Sequence, residues 1–216
     1  MLIVGLTGNY GMGKSTILAM FRELGAVTIE TDRIVDALLH DDTVLRKLRA
    51  ILGDDAFSPE GRLDKAKVAN AIFQGKELRD AVERVLHPLV FEKIRDFLEG
   101  LNEGQKNTGV VVIEIPLLFE KGYTGKFHRA ITVFADDEVV LRRLDNKGTR
   151  KEDAMKRLSA QMPVQEKMRM SDFTIDNSRS LDETRTQVVN IYAMLLEEPE
   201  TSRTSPLNHS KLLRDG

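Results

Sequence analysis

The first residues leave this chain few ways to fold. Leu2-Ile3-Val4-Gly5-Leu6 is almost continuously apolar, and Gly8-Asn9-Tyr10-Gly11-Met12-Gly13-Lys14-Ser15 follows at once. A short apolar run of this kind suits a strand buried on both faces, as in a parallel sheet. Three glycines suit neither a strand nor a helix interior, so they mark a turn where something comes close to the backbone. From Ser15 onward, Ile17, Leu18, Phe21 and Leu24 fall at helical spacing, and Gly25 stops the helix. Ala26 to Ile29 then reads as a second strand. Strand, glycine loop, helix and strand is the opening of an α/β sheet.

The remainder keeps to that class. Residues from about Arg33 to Gln105 read mainly as helices. One apolar stripe holds Val44, Leu45, Leu48, Ile51 and Leu52, and a second holds Ala66, Val68, Ala69, Ile72 and Phe73. A third, with Leu78, Val82, Val85 and Leu86, is expected to end at His87-Pro88, and a fourth runs from Leu89 to Leu101. Val110 to Ile115 is a strong strand signal, and Ala130 to Phe134 is another strand. Val139 to Leu144 and Ala154 to Met162 read as helices around Asn146-Lys147-Gly148-Thr149. Phe173 to Ile175 reads as a last strand and Leu181 to Leu196 as a last helix. The expected organisation is one domain over 1–197: a core of about 1–32, 106–140 and 171–197, a helical insertion of about 33–105, and a lid of about 141–170. Residues 198–216 read as a flexible tail. Strand order is not legible.

The glycine loop matches the phosphate-binding pattern G-x-x-x-x-G-K-S/T, after a strand and before a helix. Its glycines let backbone N–H groups turn inward around phosphate oxygens, and the helix adds its free N–H groups and positive dipole end. Lys14 is placed to reach the outer phosphates, and the Ser15 hydroxyl to hold Mg²⁺. A nucleoside triphosphate is therefore the expected ligand.

Ligands of open parallel sheets sit beyond the carboxyl ends of the strands. The second strand ends in Glu30-Thr31-Asp32, so Asp32 is the candidate general base and Glu30 the lesser one. Asp32 suits equally well the cap of a helix starting near Arg33. The third strand ends at Glu114, where a carboxylate would serve the metal directly or through water. Arg142, Arg143, Lys147, Arg150, Lys151, Lys156 and Arg157 make the lid region cationic, which suits stabilising charge in phosphoryl transfer. His40, His87, His128 and His209 show no metal-ligand spacing.

Composition excludes other classes. A net charge of −2 gives no global basic field for nucleic acid, and the chain contains no cysteine for disulfides or thiolate metal sites. No apolar run is long enough to span a bilayer, and no secretory leader is evident. A soluble cytoplasmic protein, monomeric or weakly oligomeric, is the expectation.

Taken together, several stretches resemble dephospho-coenzyme A kinases. They are Thr7 to Thr16, Glu30-Thr31-Asp32, His87-Pro88, Glu114-Ile115-Pro116-Leu117-Leu118-Phe119-Glu120, Arg157 with Gln161, Lys167, and Asp172-Phe173-Thr174-Ile175-Asp176-Asn177. They span about Leu2 to Leu196 in the family's order. The resemblance implies a P-loop NTPase core of the nucleotide-kinase kind. It implies transfer of the ATP γ-phosphoryl to the ribose 3′-hydroxyl of dephospho-CoA, the last step of coenzyme A synthesis. It makes Asp32, Lys14 and Arg142 catalytic. Gly8, Gly11, Met12, Gly13, Lys14, Ser15 and Thr16 would bind nucleotide, with Ser15 and Glu114 toward Mg²⁺. Asp32, His87, Leu117, Glu120, Arg157 and Gln161 would meet the substrate.

The chain departs from the family in three places. Asn9 and Tyr10 replace a glycine and an isoleucine, and Glu30 and Glu114 replace aspartates. Asn146-Lys147-Gly148 stands where the family has an arginine in the lid, leaving Lys147 or Arg150 as candidate substitutes. A different nucleoside or nucleotide kinase is the main alternative. A nucleotide-dependent switch is disfavoured, because Asn146-Lys147-Gly148-Thr149 lacks the fourth residue of a guanine motif. A non-catalytic nucleotide module is disfavoured by the intact Lys14, Ser15 and Asp32.

Overall fold

The computed structural model describes residues 1–64, 67–68, 75–101 and 109–198. The second apolar stripe falls largely outside them, as does the tail beyond Glu198. The chain divides into two compact units, one containing Met1–Glu30 with the segment from Leu101 onward, the other Thr31–Gly100.

The first unit is built on a five-stranded parallel sheet in the order β2-β3-β1-β4-β5. Its strands are β1 (Leu2–Thr7), β2 (Val27–Glu30), β3 (Val110–Glu114), β4 (Arg129–Phe134) and β5 (Phe173–Asp176). All of β1 and β3 is buried, as their continuous apolar character requires. From β1 the chain crosses outward past β3 to β2, whereas β4 lies on the other side of β1. Connections therefore diverge at β1, and the crevice this opens lies beyond its carboxyl end.

Helix α1 (Lys14–Glu23) buries Ile17, Leu18, Met20 and Phe21 against the sheet. Fully burying a side chain of that size contributes about 1.5–3 kcal/mol relative to exposure. The last helix among the described residues, spanning Leu181–Glu197, lies beside α1, with the Tyr192 ring edge-on to Phe21 at 6.3 Å. Its amino end is closed by a capping box, Ser180 Oγ accepting from the Glu183 N–H while the Glu183 carboxylate accepts from the Ser180 N–H. Glu198, just past it, takes a two-pronged contact from Arg129.

In the second unit, α2 (Thr31–Leu38), α3 (Asp42–Leu52) and α4 (Lys76–Glu99) pack together. The expected break at His87-Pro88 does not occur, and α4 runs through Pro88. Proline there removes one helical hydrogen bond. Burial of Val82 and Leu86 before it, and of Val90, Phe91 and Ile94 after it, holds both halves on one axis.

Helices α5 (Asp137–Asn146), α6 (Lys151–Ser159) and α7 (Val164–Met170) fill the segment between β4 and β5. With them the final helix becomes α8. Helix α6 stops short of the expected Met162, and α7 is a helix the apolar spacing did not reveal. Pro163 separates them, its fixed φ suited to the position just before α7. Among the described residues no helix is long and apolar enough to cross a membrane.

Candidate active site

The site grows from the turn between β1 and α1. Gly13 caps α1 in the left-handed conformation, at φ 90°, and offers no side chain to its free N–H groups. The first turn of α1 holds no acidic residue. Helix α8 satisfies its amino end with a side-chain cap, whereas α1 has none. A Cβ on Gly13 would collide with the Asn177 side-chain amide. That amide is buried, donates to Met12 O at 2.9 Å, and accepts from Thr184 Oγ1 at 3.2 Å. Asn177 thus fixes the loop from beneath.

Lys14 Nζ lies 3.9 Å from Glu114 Oε1, and both side chains are about nine-tenths buried. It also reaches Asn9 O at 3.4 Å. Register brings Glu114 level with Leu6 on one side and Glu30 on the other. Those two carboxylates therefore stand in one row at the strand ends. Glu30 accepts from Arg22 at 3.2 Å, and Arg22 also donates to Thr28 Oγ1 at 2.7 Å, so α1 engages Glu30. Asp32 lies inside the first turn of α2, exposed, because the helix begins directly at Thr31 with no connecting residue. That start is two residues earlier than the expected one near Arg33, and it puts Asp32 within the helix.

Ser15 and Thr16 occupy the exposed first turn of α1, and Met12 is buried beneath the loop. The Ser15 hydroxyl and the Glu114 carboxylate are hard oxygen donors of the kind Mg²⁺ accepts alongside phosphate oxygens, so the donor set fits that ion. Among the described residues no three His, Cys, Asp or Glu side chains gather into a metal site by themselves.

The segment between β4 and β5 is tied to the tip of the loop. Gln161 Oε1 accepts from the Tyr10 N–H at 2.8 Å, and Asn9 Nδ2 donates to Met162 O at 3.0 Å. The Arg157 guanidinium lies over the Tyr10 ring, 4.9 Å from its centre. Tyr10 and Asn9, the bulky departures from the family pattern, are the residues that make these contacts. Arg142 is exposed and lines an open pocket of about 310 Å³ with Asp145, Thr149 and Lys151. Arg150 is also exposed and pairs with Asp153 at 3.0 Å.

Glu120 and Lys167 form a buried pair. Lys167 is fully enclosed, 2.7 Å from Glu120 Oε1, and donates to Pro116 O at 3.2 Å. Burial pushes the Lys167 ammonium below its ordinary value, and Glu120 opposes that shift. The same Glu120 oxygen accepts from the Met162 N–H at 3.2 Å, and Pro116 O also accepts from Thr7 Oγ1 at 3.1 Å. The pair therefore joins the segment after β3, the end of β1 and the root of the α6–α7 turn. Leu117 is half-buried beside Pro116. His87 lies partly buried in the middle of α4, in the second unit.

In the sequence, Lys167 and Asn177 stand out only within the family resemblance, neither with a task of its own. Their tasks depend on long-range packing, across 47 residues to Glu120 and 165 to Met12.

Comparison with known proteins points to one family. The family model for dephospho-CoA kinase matches residues 2–183. A dephospho-CoA kinase of Aquifex aeolicus is 34% identical over 197 residues, covering 91% of this chain and 98% of that protein. One from Geobacillus kaustophilus is 36% identical over 192 residues, covering 88% and 94%. Among solved structures, a Thermus thermophilus protein superposes with a TM-score of 0.80 at 32% identity, covering 91% of this chain and 98% of that one. A dephospho-CoA kinase from Campylobacter jejuni shares the fold with a TM-score of 0.55 at 24% identity, covering 89% and 96%.

Proposed function

The chain belongs to the dephospho-CoA kinase family, and from that premise we propose how its residues carry out the reaction. It is an ATP-dependent kinase that converts ATP and dephospho-CoA to ADP and coenzyme A. The ribose 3′-oxygen forms a bond to the γ-phosphorus, the bond from that phosphorus to the β–γ bridging oxygen breaks, and the hydroxyl proton passes to a base.

Asp32 is that base. It follows the carboxyl end of β2 by two residues and is an exposed carboxylate. Inward N–H groups of the loop between β1 and α1 hold the phosphate chain, those of Tyr10, Met12 and Thr16 being already engaged within the protein, and Lys14 supplies charge at its outer end. Ser15 and Glu114 would hold Mg²⁺, which when bound neutralises phosphate charge. Arg142 and Arg157 lie on α5 and α6 and serve charge stabilisation and substrate binding. Gln161 orders the loop tip through Tyr10. By the family resemblance His87, Leu117 and Glu120 each serve the acceptor, Glu120 from within its pair with Lys167.

One observation carries this reading: the amino end of α1 is capped by a left-handed glycine and by no side chain, with Lys14 directly after it. The test is incubation with Mg-ATP and dephospho-CoA, followed by phosphorus NMR to locate the new ester. Phosphate on the ribose 3′-oxygen is expected. Turnover of a nucleoside monophosphate with none of dephospho-CoA would overturn the acceptor assignment.

A further inference from the structure

A second cation is aimed at the phosphate loop. Val140, Leu144 and Arg143 lie on one face of α5. Val140 and Leu144 press against Gly11, where a Cβ would meet Val140 Cγ1 at 2.8 Å and Leu144 Cγ at 3.0 Å. Arg143 rides on that packing. A Cβ on Gly13 would stand 3.8 Å from Arg143 Nη1, so the guanidinium lies beside the open amino end of α1. Nη1 is fully shielded from solvent, and no protein acceptor reaches it.

A buried guanidinium N–H without an acceptor is costly, and such groups in a folded protein call for a partner. Beside it at Gly13 stand the amino end of α1 and the Asn177 amide nitrogen, which already donates to Met12 O. These are donors. What the place lacks is an anion, and a phosphate oxygen supplies the acceptor. Asn146 stands one turn further along α5, exposed, where the family resemblance expects an arginine. Lys147 and Arg150, the substitutes suggested by sequence, are both exposed, and Arg150 is engaged by Asp153.

We propose that Arg143 is a nucleotide-phosphate ligand of this enzyme, taking the place of the lid arginine that the chain lacks. The inference rests on the kinase reading for its nucleotide but not for its acceptor.

The test measures binding, without dephospho-CoA, of ATP, ADP and adenosine to the parent and to Arg143→Gln, Arg143→Lys and Arg150→Gln. Calorimetry serves for the nucleotides and NMR titration for adenosine. Charge-assisted hydrogen bonds are worth about tenfold or more in affinity. Arg143→Gln is expected to weaken ATP and ADP by about that factor, leave adenosine within about twofold, and keep the thermal midpoint of the ligand-free protein. Arg143→Lys restores part of the loss. Parent-like ATP affinity in Arg143→Gln would overturn the proposal, as would an equal loss for adenosine or a larger loss in Arg150→Gln. A parent that binds ATP but does not phosphorylate dephospho-CoA would refute the acceptor assignment and leave Arg143 to be decided by the same titrations.

Discussion

Asp32 and Tyr10 separate chemistry from positioning at the scale of single residues. If Asp32 is the base, Asp32→Asn keeps its shape and its place in the first turn of α2 but cannot take the hydroxyl proton. Turnover should fall by roughly a hundred- to ten-thousand-fold, while calorimetric affinity for ATP stays as in the parent. Unchanged turnover would remove Asp32 from the mechanism. Tyr10→Ile asks a different question. Its N–H still donates to Gln161, but Arg157 loses the ring beneath it. That contact is worth about 0.5–1 kcal/mol at an exposed site. The KM for ATP should therefore rise roughly two- to fivefold with kcat little changed, measured by steady-state kinetics. Lys14, Ser15 and the glycines were legible in the sequence because their chemistry is set by neighbours in the chain. Arg143 was legible only as one cation of the lid cluster, because its environment comes from Gly11 and Gly13, more than a hundred residues away.

At the scale of elements, local spacing revealed every described strand and most described helices, but it set the start of α2 two residues late and misread two junctions at prolines. Pro88 looks like a stop when only backbone rules apply, and α4 passes through it because apolar burial continues on the same face. Pro163 looks like the end of a helical region, and instead it starts α7. That short helix carries the buried Lys167. Replacing Lys167 alone, as in Lys167→Met, strands the Glu120 carboxylate in a buried place. Removing one member of such a pair costs about 3–5 kcal/mol. Adding Glu120→Gln leaves an amide oxygen to accept from the Met162 N–H, so most of that loss should return. Denaturant unfolding of the parent, the two single variants and the double variant forms the cycle. Additive losses would show that the two side chains do not act as a pair.

For the molecule as a whole, two groups shift in opposite senses and together shape stability above neutral pH. Lys167 has its folded-state value below the ordinary 10.5, mainly through burial. Between that lowered value and 10.5 the unfolded chain binds the extra proton, so rising pH relieves the cost of burying the ammonium and stability increases. Tyr192 sits against α1 with its value pushed above 10.0 by burial. From 10.0 upward the unfolded phenol ionises first, so stability falls there. The parent's unfolding free energy should thus gain from Lys167 as pH approaches 10 and lose to Tyr192 beyond it. The double variant Lys167→Met with Glu120→Gln keeps Tyr192 and lacks the lysine. Subtracting its pH profile from the parent's removes the tyrosine contribution, and the difference should favour the parent progressively as pH rises toward 10.5. Urea unfolding at a series of pH values measures it. A difference that stays flat, or runs the other way, would show that the ammonium's charge is not penalised where it lies, and that the α7 root is wetter than its packing around Glu120 implies.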